Sequence, residues 1–285
     1  MSRSGIYVCL VTYNSMATLP AVLERLDRHC APDTAMVVVD NGSTDGTGRH
    51  LERIRASAAH RIELIVNATN LGYSEGANQA LARVPADAPA ILLNPDVLVG
   101  PHWDVRLAAH MADTEQVGAV GPLGSLIGGP QEYGLYGAAP FASPQGTQEL
   151  DQFVERLYRA CRGHFRTVKF LIGCCLLITP AARSAVGGLD ASMLLGADDF
   201  DWSLRARLAG FDLLVAEDVF VEHRKGTSTR QAGALASEWE QLSWQRFTER
   251  WATLVGQIGW PRLFEDEVEL DRPRYRRIVH RPARP

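Results

Sequence analysis

The chain has 285 residues, 46% of them hydrophobic and 22% charged, with a formal net charge of −4. That length buries a large core, as one big α/β domain or as one domain with a smaller appendage. The small net charge gives no overall field that would favour nucleic acid, and no apolar stretch is long enough to span a bilayer. Five cysteines, Cys9, Cys30, Cys161, Cys174 and Cys175, are odd in number and include no C-x-x-C pair. Neither a disulfide framework nor a zinc knuckle follows, and Cys9, Cys174 and Cys175, inside apolar runs, read as small core residues. The leading apolar run, 6–11, is too short for a signal peptide and is interrupted by Thr12-Tyr13-Asn14, so the expected location is a reducing cytoplasm.

In chain order, 6–11 is a continuous apolar run, as expected of a strand buried on both faces of a parallel sheet. Leu19, Val22, Leu23 and Leu26 then recur at helical spacing. A second strand over 35–39 leads into the turn-rich Asp40-Asn41-Gly42-Ser43-Thr44-Asp45-Gly46 and a helix to about Ala58. The pattern repeats with a strand at 62–66, a helix over 73–83 and a strand at 90–93, broken by Asn94-Pro95. Such alternation predicts a mainly parallel sheet flanked by helices. Residues 121–149 read as a long irregular segment rich in Gly, Pro and Ser, a kind that is usually functional or disordered. Structure resumes as one strand over 167–178, helices at 180–186 and 200–209, and one or two strands in 211–221. A Trp-rich helical pattern then runs from 233 to about 258.

Ligands of open parallel sheets bind at the carboxyl ends of the strands. The four ends carry Thr12-Tyr13-Asn14, Asp40-Asn41, Asn67 with Asn70-Leu71-Gly72, and Asn94-Pro95-Asp96. Four polar ends together predict a nucleotide-sized crevice. The first strand is followed by no G-x-G-x-x-G, and no G-x-x-x-x-G-K-[ST] occurs, which disfavours a dinucleotide fold and excludes a P-loop. A pyrophosphate would then need a divalent cation held by carboxylate oxygen, and Asp96 stands where such a ligand belongs. An Asn-Pro-Asp turn is by itself more often only a turn.

Further on, Asp198-Asp199-Phe200-Asp201 places three acids within four residues. Acids at a helix start cap it and complement its dipole; the expectation is that one acid caps while another faces the cleft. His223 precedes Gly226-Thr227-Ser228. A lone His at a strand end is usually a satisfied structural residue, and a neutral imidazole is also a good metal ligand.

These segments resemble family 2 glycosyltransferases, in the rhamnosyltransferase-like bacterial branch. Val11-Thr12-Tyr13-Asn14, the run Val38 to Thr47, and Asn70-Leu71-Gly72-Tyr73 with Asn78 are similar to the donor-binding half. Leu93-Asn94-Pro95-Asp96 resembles the D-x-D metal motif. Gly187-Gly188-Leu189-Asp190, Asp198-Asp199 with Asp201-Trp202 and Arg205, and His223 resemble the acceptor half, with Phe247 and Trp251 closing the pattern. The resemblance implies a GT-A fold, Rossmann-like, a nucleotide-diphosphate sugar donor (UDP- or dTDP-linked), a divalent metal, Mg or Mn, and inversion at the anomeric carbon. Carried over by position, Thr12 and Tyr13 line the base pocket and Asp40 or Asn41 bonds the pyrimidine. Asn70, Gly72 and Asn78 lie near ribose and phosphates, and Asn14 and Asn94 also face the donor nucleotide. Asp96 binds the metal with His223. Asp199 matches the general base, with Asp198 as the alternative. Two departures stand out: Asn94 replaces the first carboxylate of D-x-D, and Asp198 occupies a position that more often holds Glu.

The expected organisation is a catalytic domain over 1–230, its donor half about 1–120 and acceptor half about 121–230. Residues 231–285 form a helical extension with a basic tail, Arg272 to Arg284, packed on the same domain. The acceptor is a carbohydrate, lipid-linked glycan, small molecule or protein, and the tail offers peripheral membrane contact. The competing readings are a sugar nucleotidyltransferase, which needs a Gly- and Arg-rich loop after the first strand, and a non-catalytic nucleotide- or carbohydrate-binding relative.

Overall fold

The computed structural model describes residues 5–114, 116–137, 139–144, 147–224 and 227–265, with the side chains at 147–148 and 227–235 left aside. The first half forms β1 (Tyr7–Thr12), α1 (Leu19–His29), β2 (Ala35–Asp40), α2 (Thr47–Ser57), β3 (Ile62–Val66), α3 (Tyr73–Leu81) and β4 (Ala90–Leu93). Then come β5 (Val97–Leu98), α4 (Trp103–Ala109), β6 (Val117–Ser125), α5 (Thr147–Cys161), β7 (Phe165–Val168) and β8 (Cys175–Ile178). The chain continues through α6 (Pro180–Val186), α7 (Asp198–Leu208), β9 (Asp212–His223), α8 (Thr227–Ile258) and α9 (Trp260–Phe264).

The strands lie in the order β3-β2-β1-β4-β8-β6-β9-β5, with β7 on β9. The apolar runs explain the centre: every residue of β2 and β4 is buried, because helices cover both faces. Pairing is parallel through β3-β2-β1-β4, in a register that sets Thr12 beside Asp40. Beyond β4 the sheet is mixed, since β8 runs antiparallel to both β4 and β6. β6 and β9 pair in parallel again, so the second half adds antiparallel partners to the mainly parallel sheet that the sequence predicts.

Two expectations need correction. The apolar run 167–178 is not one strand. Between β7 and β8 the amides of Leu171, Ile172 and Gly173 donate to the side chains of Ser203, Gln131 and Asp199, at 3.2, 2.6 and 3.0 Å. Side chains there take the bonds that a ladder would supply. Nor is 121–149 irregular throughout. Residues 121–125 belong to β6, whose glycines are packing glycines: a Cβ on Gly124 would lie 2.6 Å from the Val221 carbonyl oxygen. The far end opens α5, whose Leu150, Phe153, Val154 and Leu157 are fully buried.

A second, smaller core lies under α8 and α9, where Met193, Ala197, Leu204, Phe247, Leu263 and Phe264 are buried together. Phe170 and Phe200 stack beside it with centroids 4.5 Å apart. Lys169 donates to the Pro261 carbonyl at 3.2 Å and to the Glu265 carbonyl, which holds α9 against the sheet. The Arg272–Arg284 tail and Gly226 lie outside the described residues. No helix among the described residues is long and apolar enough to cross a membrane.

Candidate active site

The parallel register brings the first three strand ends together, and side-chain bonds stitch them. Thr12 donates its hydroxyl to the Asp40 carboxylate at 3.1 Å, and Ser43 donates to the same oxygen at 2.5 Å. Asn14, in the left-handed region at φ 47°, donates its amide to the Ser43 hydroxyl and accepts the Thr44 amide at 2.8 Å. Asn41 donates to the Gly72 carbonyl at 2.9 Å and accepts from Asn67 at 2.8 Å. Asn70 in turn accepts the Gly72 amide at 3.0 Å. Thr12, Asp40 and Asn41 are buried at these strand ends, while Tyr13, Asn14 and Asn70 are half-buried.

Asn78 is placed differently from its sequence-based role near the phosphates. Its carboxamide donates to the Leu189 carbonyl and accepts the Leu189 amide, both at 2.8 Å. It clamps the Gly187-Gly188-Leu189-Asp190 segment to α3, and a Cβ on Gly188 would collide with the clamping oxygen. From there residues 190–197 fold over the start of α3, where Tyr73 and Ser74 donate to the carbonyls of Leu194 and Met193 at 2.7 and 2.5 Å. That crossing delivers the acids of α7 to the same end of the sheet.

The three acids have separate partners. Asp201, fully buried, accepts from Arg205 at 2.7 Å and from the Trp251 indole at 3.0 Å, so its place is structural. Asp199 accepts the amides of Gly173 and Phe200 at 3.0 and 2.9 Å. Burial pushes the carboxyls of both Asp198 and Asp199 up, and the Asp199 charge raises Asp198 further. The two amides on Asp199 oppose its rise and favour its anionic form. No side chain caps this helix; Ala197, at φ 63°, stands at the cap position. Tyr73 is read from sequence only as part of the donor-half motif, without a role of its own, yet its hydroxyl reaches the Gly173 carbonyl at 3.5 Å, and both acids raise its pKa after burial.

Asn94 and Asp96 sit in the turn between β4 and β5. The Asn94 amide donates to the Cys174 carbonyl at 2.9 Å and its carbonyl accepts the Val97 amide. Strand β5 pairs with the end of β9, matching Val97 to His223, and this sets the Asp96 carboxylate 3.4 Å from the imidazole Nε2. His223 donates from Nδ1 to the Leu126 carbonyl at 3.1 Å. A carbonyl only accepts, so in the neutral ring the lone pair lies on Nε2, facing Asp96. The buried Asp96 Oδ1 has no hydrogen-bond partner. With the ring neutral, two acceptors face each other across 3.4 Å, which suits a cation between them, and carboxylate with neutral imidazole is a donor set for a divalent metal. No third His, Cys, Asp or Glu joins them among the described residues. Burial raises the Cys174 thiol, and the charges of both Asp96 and Asp199 raise it further, so these two acids flank one residue.

The model of the family "Glycosyl transferase family 2" matches residues 7–172. A Mycobacterium tuberculosis (strain CDC 1551 / Oshkosh) protein, N-acetylglucosaminyl-diphospho-decaprenol L-rhamnosyltransferase, is 26% identical over 284 residues, covering 88% of this chain and 90% of its own. Among solved structures, mannosyltransferase PcManGT from Pyrobaculum calidifontis, in complex with GDP-Man and Mn2+, gives a TM-score of 0.61 at 17% identity. That match covers 96% of this chain and 68% of the other. GalNAc-T7 with UDP, GalNAc and Mn2+ gives 0.65 at 14% identity, over 97% and 54%. The fold is GT-A.

Proposed function

The chain belongs to glycosyl transferase family 2, and from that premise we propose that it moves a sugar from a nucleotide-diphosphate donor to an acceptor hydroxyl, with metal assistance and inversion. The observation that carries this reading is the Asp96–His223 pair, a carboxylate oxygen without a hydrogen-bond partner 3.4 Å from the imidazole Nε2, beside the same cysteine as Asp199. A donor pyrophosphate seated at the strand ends needs its charge neutralised, and Asp96 and His223 would hold the divalent ion that does so. When bound, that ion supplies Lewis-acid stabilisation of the departing diphosphate.

The protein's own groups account for the remaining chemistry. The half-buried Tyr13, Asn14 and Asn70 offer contacts for the base and ribose, beside the buried Thr12, Asp40 and Asn41. Asp199 removes the proton from the acceptor hydroxyl as that oxygen attacks the anomeric carbon. Its carboxylate accepts the Gly173 amide on one oxygen and the Phe200 amide on the other, and each oxygen retains a lone pair for the incoming proton. Asp198 is deeper, 4% exposed, and its neutral form avoids a second charge beside the base. Attack opposite the leaving diphosphate yields inversion.

The nucleotides and Mn2+ in the names of the two solved structures support the donor class and the metal. The mycobacterial relative's name supports a deoxyhexosyl donor, which we read as dTDP- or UDP-linked, and a lipid-linked acceptor, which we place at a membrane surface. Six arginines and no acid in residues 272–285 favour such a surface if it is anionic. We assign 1–230 as the catalytic domain and 231–285 as an extension of it, a reading supported by the core in which Phe247, Leu263 and Phe264 are buried together with Met193, Ala197 and Leu204. A thermal-shift panel of nucleotide sugars, each with and without Mn2+, tests the reading: a tight donor raises the melting point by mass action. Stabilisation by no sugar nucleotide under either condition would contradict it.

A further inference from the structure

The imidazole of His223 is aimed at Asp96 through one backbone oxygen, that of Leu126. Leu126 is 60% exposed and sits in the left-handed region at φ 58°, so its own side chain does nothing to fix the carbonyl. The carboxylate of Glu132 supplies what is missing. One of its oxygens accepts the Leu126 amide at 3.1 Å and the other accepts the Gly128 amide at 2.7 Å. Two amides on two different oxygens fix the plane of the turn as well as its position. The other side of the turn is tied down where Tyr133 donates its amide to the Gly124 carbonyl at 2.9 Å, at the end of β6.

We propose that Glu132 is a positioning residue for the metal pair: it holds the 126–128 turn so that the Leu126 carbonyl keeps His223 protonated on Nδ1, with Nε2 free toward Asp96. The inference rests on the metal reading of that pair and extends it by one layer. Groups that orient a ligating histidine through its second nitrogen typically alter metal affinity by about 10–100-fold when removed. Two alternative roles for Glu132 predict something different. A structural role would show in the unfolding midpoint alone. A role as a nearby negative charge would be kept by Asp and lost in Gln.

The experiment uses the full chain with 15N-labelled histidine and the variants Glu132→Gln, Glu132→Asp and Leu126→Gly, each checked for a wild-type unfolding midpoint. NMR reads the His223 tautomer, and titration with MnCl2 alone, following free Mn2+ by electron paramagnetic resonance, reads affinity. In the wild type the Nδ1–H form is expected. Gln can accept only one of the two amides and Asp is a methylene too short to span both, so each should populate both tautomers and weaken Mn2+ binding about 10–100-fold. Leu126→Gly keeps the carbonyl in a conformation that glycine adopts readily, and should retain both readings. A wild-type tautomer and affinity in Glu132→Gln and Glu132→Asp would overturn the inference. So would wild-type behaviour in Glu132→Asp alone, which would make the effect one of charge. A wild-type protein that binds no Mn2+ overturns the metal reading instead, and the tautomer comparison then decides on Glu132 alone.

Discussion

The amide of Gly173 donates to the Asp199 carboxylate at 3.0 Å, and this bond separates two adjacent acids that look equivalent in sequence. Asp199 gains fixed donors that favour its charged form, whereas Asp198 is buried beside that charge and pushed well up. Asp199→Asn should leave donor binding nearly intact and lower turnover by about 10²–10⁴-fold, the usual span for a general base. Asp198→Asn should cost much less. Steady-state rates for both variants, with donor affinity measured separately, check this; the reverse order would move the base to Asp198.

Removing the Asp96 carboxylate should act on the donor rather than on the proton. Asp96→Ala leaves His223 without its facing oxygen, so the gain in donor affinity on adding Mn2+ should largely vanish. Calorimetric titration of a donor nucleotide with and without Mn2+ reads the difference directly. An undiminished Mn2+ effect would mean that the metal is held elsewhere.

The first half of the fold was legible because its strands are buried on both faces and its turns carry strong breakers. The four polar strand ends could be found for the same reason, and β1 to β4 place them together. Residues 121–125 read as irregular because Gly121, Pro122 and Gly124 signal a turn, while in β6 the glycines answer to neighbours that sequence does not show. Helix α5 carries its signal just past the 121–149 segment, in apolar residues at 150, 153, 154 and 157, a stretch assigned no element from sequence. Asn78 shows a different limit. Its type fits a phosphate contact or a backbone clamp equally well, and only the fold over Leu189 decides between them. The contribution of Leu126 to the site is a carbonyl, which no side-chain pattern can announce.

The Asp201–Arg205 pair is a stability element. Arg205 donates to Asp201 at 2.7 Å and to the carbonyls of Val186 and Gly188 at 2.9 and 2.8 Å, joining α7 to the end of α6 and to the segment that Asn78 clamps. Arg205→Met leaves a carboxylate of zero exposure with the Trp251 indole and a more distant Arg250, at 3.4 Å. Breaking a buried pair in this one-sided way costs on the order of 3 kcal/mol. Urea unfolding of the variant should show that loss. A change within experimental error would mean that the Trp251 bond and Arg250 suffice.

His110 gives the fold a pH dependence whose sign can be worked out. The ring is buried between two carboxylates, with Nε2 2.7 Å from Asp218 and Nδ1 hydrogen-bonded to Asp113. Burial pulls the imidazolium pKa down, but the hydrogen bonds and charges of Asp218 and Asp113 outweigh it, and the net direction is upward. Asp218 is held in turn by the Gly163 amide at 2.7 Å. A His pKa raised on folding means that the folded state binds the proton more tightly than the unfolded chain does. Its stabilisation is complete below the unfolded value of about 6.5 and is lost as pH climbs through the higher folded value. Wild type should therefore exceed His110→Gln in unfolding free energy by most at about pH 6, and the gap should narrow steadily above neutrality. Denaturant titrations of both proteins across that range check it. A gap constant with pH would show that the neutral ring does the same structural work as the charged one, and that its two carboxylates do not hold a proton there.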